Sequence, residues 1–194
     1  MEAVLCLSLA YFLGAIPWAY LIGKMSKGVD IREYGSGNVG FTNALRTLGK
    51  GPAALVLIGD IGKGMVAILI AKHIGTPLLA TLAGLAVVIG HNYPVFLGFR
   101  GGKGAAAGFG ALLTLLPLEA FLAIIVWIIV VLLTRYVSLG TILGALTVPI
   151  ATLYFHNEVH YLLFSVLGAI FVIYKHHSNI SRLLKGNERK IGKE

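Results

Sequence analysis

The chain has 194 residues, 57% of them hydrophobic and only 12% charged, with a mean hydropathy of +0.86. Soluble domains carry about 25% charged residues, so this composition excludes an ordinary water-soluble enzyme and indicates a membrane protein. The net charge of +8 is then read first as membrane topology and anionic head groups, not nucleic acid, and the single cysteine, Cys6, permits no intrachain disulfide.

From the N-terminus, Met1 and Glu2 lead directly into "AVLCLSLAYFLGAIPWAYLIGK", without a basic n-region or an early cleavage site, so a retained first span is expected. A hydrocarbon core of about 30 Å needs roughly 20 apolar residues in a helix. Apolar segments of that order, some shorter, run near 2–23, 52–72, 76–97, 104–117, 119–134, 139–156 and 159–175. The expected fold is therefore an all-α integral membrane protein with seven transmembrane helices, forming a single membrane-embedded domain over residues 1–194. The fourth segment is short, and Pro117-Leu118-Glu119 leaves open a kink or a turn.

Alternating these spans places Lys24, Lys27, Arg32, Arg46, Lys50, Arg100, Lys103, Arg135, Lys175 and the basic tail from Arg182 to Lys193 on one side. Glu2, Lys72, Glu119, His156, Glu158 and His160 fall on the other. The positive-inside rule makes the first side cytoplasmic, which gives an outside N-terminus and a cytoplasmic C-terminus. The stretches around Glu119 and Glu158 read as lipid-boundary segments and nothing more.

Three segments rich in Gly, Asn and basic residues interrupt the hydrophobicity, all on the cytoplasmic side in this topology: "GSGNVGFTNALRTLG" (35–49), "GHNYPVFLGFRGGKG" (90–104) and "HHSNISRLLKGNE" (176–188). Residues 35–40 match G-x-G-x-x-G, and Asp60 lies twenty residues past Gly40, but a dinucleotide fingerprint needs a βαβ unit and Asp60 sits in an apolar span. A plain flexible loop explains the glycines but not Ser36, Asn38, Thr42, Asn43 and Arg46 beside them. Glycines that turn backbone N–H groups of Gly37 and Asn38 toward an anion, a short helix starting near Thr42, and Arg46 one turn later make a phosphate site instead.

In the second segment Gly101, Gly102 and Gly104 surround Lys103 where a helix begins; the Walker A spacing is absent. Glycines there permit close approach of a ligand, whereas Arg100 reads as a positive-inside anchor and His91 alone as a hydrogen-bonded structural histidine. In the third segment His176, Asn179 and Arg182 share one helical face, while the tail Lys185, Arg189, Lys190 and Lys193 reads as a head-group-facing run. Asp60 and Lys63, i and i+3 in a span, neutralise each other, either lining a polar cavity below the first loop or as a purely structural pair. Ser138 follows Arg135-Tyr136 on a cytoplasmic connection and is unremarkable by itself. HExxH, CxxC, GxSxG and HxxxxD patterns are absent, so no metal, no other cofactor and no acyl-enzyme are expected.

These three segments, with "GDIGKG" and the opening "LGAIPWAYLIGK", resemble the bacterial acyl-phosphate:glycerol-3-phosphate acyltransferase family over nearly the whole chain. Phe41, Ala15, Arg100 and Ala107 stand where that family more usually has Ala, Ser, Lys and Thr, departures that bear on packing or acyl preference and put none of the charged positions in doubt. The resemblance implies a seven-span enzyme of the bacterial inner membrane whose motifs face the cytoplasm. It implies acyl transfer from acyl phosphate to the 1-hydroxyl of glycerol 3-phosphate, giving lysophosphatidic acid and phosphate, the first acylation of phospholipid biosynthesis. Ser36, Gly37, Asn38, Thr42, Asn43, Arg46, Gly102, Lys103 and Gly104 are expected to hold phosphates, Ser36 to serve catalysis as well with His176, Asn179 and an assisting Ser138, and Asp60, Lys63 and His91 to support the site. The base is either His176 or a substrate phosphate. Membrane lipids are the other expected partners of a monomeric chain that binds no nucleic acid; the rival readings are a transporter of a small phosphate ester and an anionic-lipid-binding scaffold.

Overall fold

The computed structural model describes residues 1–156 and 158–192, which form helices, turns and loops. Lys193, at the end of the expected basic tail, lies outside the described residues. The chain divides into two compact units, Met1–Leu115 and a second that begins at Leu116.

The first unit holds α1 (Glu2–Ala15), α2 (Trp18–Lys27), α3 (Phe41–Leu48), α4 (Lys50–Ile74), α5 (Pro77–Asn92) and α6 (Ala105–Leu115). The first expected span is thus two helices, because Pro17 has no N–H to continue the ladder. The break exposes the Ile16 carbonyl, which accepts a hydrogen bond from Lys63 Nζ at 2.9 Å. Glycines then set how closely the helices cross. A Cβ on Gly14 would strike the Val87 backbone and one on Gly90 the Tyr11 carbonyl, so α1 and α5 touch backbone to backbone. Gly64 and Gly110 do the same for α4 and α6, against the Ala107 and Ile61 carbonyls. Lipid supplies no hydrophobic drive between helices, so close backbone contact of this kind is how such helices hold together.

The second unit holds α7 (Pro117–Thr134), α8 (Val137–Phe155), α9 (Val159–Lys175) and α10 (His177–Leu184). Leu116 is non-helical, so Pro117 opens a new helix at its first turn instead of kinking the previous one. Gly140 and Gly144 bring α8 against α7, 3.1 and 3.0 Å from the Trp127 and Ala123 carbonyls for an added Cβ. Glu119 departs from the lipid-boundary reading. It is fully buried, with Oε1 3.0 Å from His156 Nε2, because the start of α7 faces the end of α8 and a buried carboxylate requires a partner.

Among the described residues, five helical segments are long and apolar enough to cross a membrane: Glu2–Lys27, Lys50–Ile74, Pro77–Leu97, Pro117–Thr134 and Val137–Phe155. Val159–Lys175 makes a sixth if joined to His177–Leu184, from which it is bent by 60°. The expected fourth span is the short apolar helix α6, whose 11 residues reach only about 16 Å at 1.5 Å per residue.

Candidate functional site

Residues 35–40 are framed by helical turns and not by a strand. A 3-10 turn over Ile31–Glu33 precedes them, with the Asp30 carboxylate accepting from Arg32 N at 3.0 Å, and α3 starts directly after Gly40. Beneath them Ala19, Ile31, Val39, Ala44, Leu48, Ala53, Val56 and Leu97 form a buried apolar cluster that seats α3. Asn43 shapes the loop from below: Nδ2 donates to the Ile31 and Tyr34 carbonyls, both at 3.1 Å, and Oδ1 accepts Ser36 N at 2.8 Å. Both amide protons of Asn43 are therefore committed to the loop itself. Ser36 is exposed and Asn38, Thr42 and Arg46 are half-buried, and Gly37 holds a φ of +69° that an L side chain rarely adopts.

The second glycine segment docks onto the first. Gly101 and Gly102 donate their N–H groups to the Asn92 and His91 carbonyls at 3.2 and 3.1 Å, folding residues 101–104 back onto the end of α5. Gly102 lies so close to both His91 Nε2 and the Val39 carbonyl that any Cβ would collide with them. The two glycine loops therefore meet at Gly102, with the half-buried Lys103 next to the seam and Gly104, whose φ is +79°, leading into α6. Gly104 O accepts Gly108 N at 2.7 Å in the first turn of that helix.

Below the seam lies a buried cluster. Asp60 Oδ1 is 2.8 Å from Lys63 Nζ and 3.4 Å from His91 Nδ1, all three groups being at most 7% exposed. The Asp60–Lys63 contact is a close ion pair and not an aligned hydrogen bond. Asp60, Lys63 and His91 line a narrow space together with Trp18, Val39 and Pro94.

In the second unit His176 occupies the bend between α9 and α10, with Nδ1 2.7 Å from the Val172 carbonyl. A proton on Nδ1 donated to that carbonyl leaves the lone pair on Nε2, the tautomer a base requires. Ser138 and Asn179, both buried, converge on one group the sequence reading assigned no role. Glu188 Oε1 accepts from Ser138 Oγ at 2.8 Å and from Asn179 Nδ2 at 2.6 Å, and Oε2 accepts from Arg182 Nε at 2.7 Å. Burial pushes the Glu188 carboxyl up, but the hydrogen bonds from Asn179, Ser138 and Arg182 outweigh it and hold the group below the ordinary glutamate value. A lone glutamate in a basic tail gave no periodic signal; its partner Ser138 is fifty residues away.

Residues 4–186 match the family model described as glycerol-3-phosphate acyltransferase. The chain is 49% identical over 186 residues to a glycerol-3-phosphate acyltransferase of Desulforamulus reducens, covering 95% of this chain and 93% of that one. It is 47% identical over 189 residues to glycerol-3-phosphate acyltransferase 2 of Moorella thermoacetica, covering 97% of each. Among solved structures, PlsY, an integral membrane glycerol 3-phosphate acyltransferase, superposes in its glycerol 3-phosphate form with a TM-score of 0.95 at 39% identity, covering 99% of this chain and 96% of that one. Its lysophosphatidic acid form superposes with a TM-score of 0.93, at the same identity and coverage.

Proposed function

The chain belongs to the glycerol-3-phosphate acyltransferase family, and from that premise we propose that it moves a fatty acyl group from acyl phosphate to the 1-hydroxyl of glycerol 3-phosphate. The observation that carries the reading is the seam at Gly102, where two glycine loops pack against each other and present Lys103 and the Ser36–Asn38 backbone from one unit. Both substrates bear phosphate, and glycines with a helix start and a cation beside them suit it.

In this reading Ser36, the Gly37 and Asn38 backbone, Thr42, Arg46, Lys103 and the flanking Gly102 and Gly104 hold phosphate oxygens, and Asn43 keeps the first loop in shape. His176, Asn179 and Ser138 serve the acyl-transfer step, with Glu188 holding the last two. The hydroxyl oxygen attacks the acyl carbonyl carbon, the bond from that carbon to the phosphate oxygen breaks, and inorganic phosphate leaves. Acyl phosphate is already activated, so alignment and charge stabilisation suffice without metal or cofactor. A substrate phosphate oxygen takes the hydroxyl proton; abolished turnover in His176→Ala at unchanged glycerol 3-phosphate affinity would assign the proton to His176 instead.

The molecule is taken as one catalytic domain, a monomer among membrane lipids in a bacterial inner membrane, with the motif loops cytoplasmic and α6 supplying the seventh crossing. Purified protein given acyl phosphate and glycerol 3-phosphate is expected to release phosphate and lysophosphatidic acid in equal amounts. Product from acyl thioesters in place of acyl phosphate would overturn the donor. Vesicles that accumulate glycerol 3-phosphate without forming product would establish the transporter.

A further inference from the structure

We propose that Asp60 and His91 are positioning residues, which set the seam between the two glycine loops and through it the place of Lys103. The inference deepens the proposed function and rests on its assignment of Lys103 to a substrate phosphate.

The contacts of the cluster run from the α1–α2 break to the loop seam. Two charges inside a membrane span are expensive, and well-packed apolar side chains of similar volume often serve stability as well or better. Lys63 does two things at once: it pairs with Asp60 at 2.8 Å and caps the Ile16 carbonyl at the α1–α2 break. That fixes the Asp60 carboxylate on α4. Asp60 Oδ1 in turn stands 3.4 Å from His91 Nδ1 on α5, on the opposite side of the ring from Nε2. Nε2 faces the Gly102 Cα so closely that no Cβ fits, and the Val39 carbonyl of the first loop closes on the same atom. The imidazole is therefore a spacer whose rotation is set by a carboxylate on one edge and read by the loop seam on the other, much as a carboxylate orients a catalytic histidine. Gly102 immediately precedes Lys103, so a turned ring displaces the lysine. A displacement of about 1 Å in a substrate-holding group costs on the order of 100-fold in rate.

The test separates orientation from stability. The double variant Asp60→Leu/Lys63→Met removes both charges together, so neither is left buried alone. It is expected to unfold within a few degrees of the parent while its KM for glycerol 3-phosphate rises about tenfold or more. Adding His91→Ala to it is expected to change KM little further, because the two changes act through one ring. A parental KM in the double variant, or losses that multiply when His91→Ala is added, would overturn the proposal. Should the double variant not fold, His91→Asn decides: it keeps a donor toward Asp60 but removes the ring edge against Gly102, so a raised KM supports the proposal and a parental KM ends it. Undiminished kcat/KM in Lys103→Ala would strike the underlying functional reading, whereas a crippled Lys103→Ala beside parental His91 variants would strike this inference alone.

Discussion

Arg46 and Lys103 are the cations of the glycine segments assigned to phosphate, one on the last turn of α3 and one beside the Gly102 seam. Hydrogen bonds to a charged group are worth about 1.5–3 kcal/mol, so Arg46→Ala and Lys103→Ala are each expected to lower kcat/KM roughly 10- to 100-fold; near-parental kinetics in either would remove it from the site. Glu188 makes a different prediction. Its carboxyl is held below the ordinary glutamate value, so the stability it contributes is complete above the unfolded-state value and is lost as pH falls through the folded-state one. Thermal unfolding of the parent in detergent is expected to fall off in acid, and Glu188→Gln to flatten that fall; an unchanged acid limb would show that the cluster adds nothing. The residue types proposed for the candidate site stand out in the sequence because Gly, Asn and Lys are conspicuous in an apolar chain. What Asn43 does was not legible there, since its partners Ile31 and Tyr34 lie twelve and nine residues upstream in a non-repeating loop.

Helix crossings put glycines under unequal demands. Gly110 has the Ile61 carbonyl where its Cβ would go, while Gly62 has nothing within 4 Å. Gly110→Ala is therefore expected to lower the unfolding temperature by forcing α4 and α6 apart, and Gly62→Ala to leave it level or raise it, since alanine gains about 0.5–1 kcal/mol over glycine in a helix. Equal melts for the two would mean the crossing yields easily. Most element boundaries followed from breakers such as Gly75-Thr76-Pro77, where Thr76 caps α5 and Pro77 starts it. The break at Pro17 was lost in the hydropathy of its flanks, and α6 is shorter than its apolar run because Leu116 is non-helical and Pro117 already belongs to α7.

At the scale of the whole molecule the number of crossings sets the sidedness of the tail. Seven crossings put Glu2 and Lys185 on opposite faces; six, with α6 not crossing, put them on the same face. Glu2→Cys and Lys185→Cys in a Cys6→Ser background are expected to react with an impermeant thiol reagent from outside only and inside only, respectively. Labelling of both from one side would remove α6 as a span. The sequence by itself determined the membrane class, most of the apolar segments and the three polar motifs, because partitioning into lipid and positive-inside bias depend on local composition alone. Only the tertiary structure decided that Asn43 serves its own loop, that Glu188 gathers Ser138 and Asn179, and that His91 stands between Asp60 and Gly102. Ser138 and Glu188, or Asp60 and His91, are far apart in the chain, and the nearer contacts fall in irregular segments; neither periodicity nor composition records which side chain a buried polar group will find there.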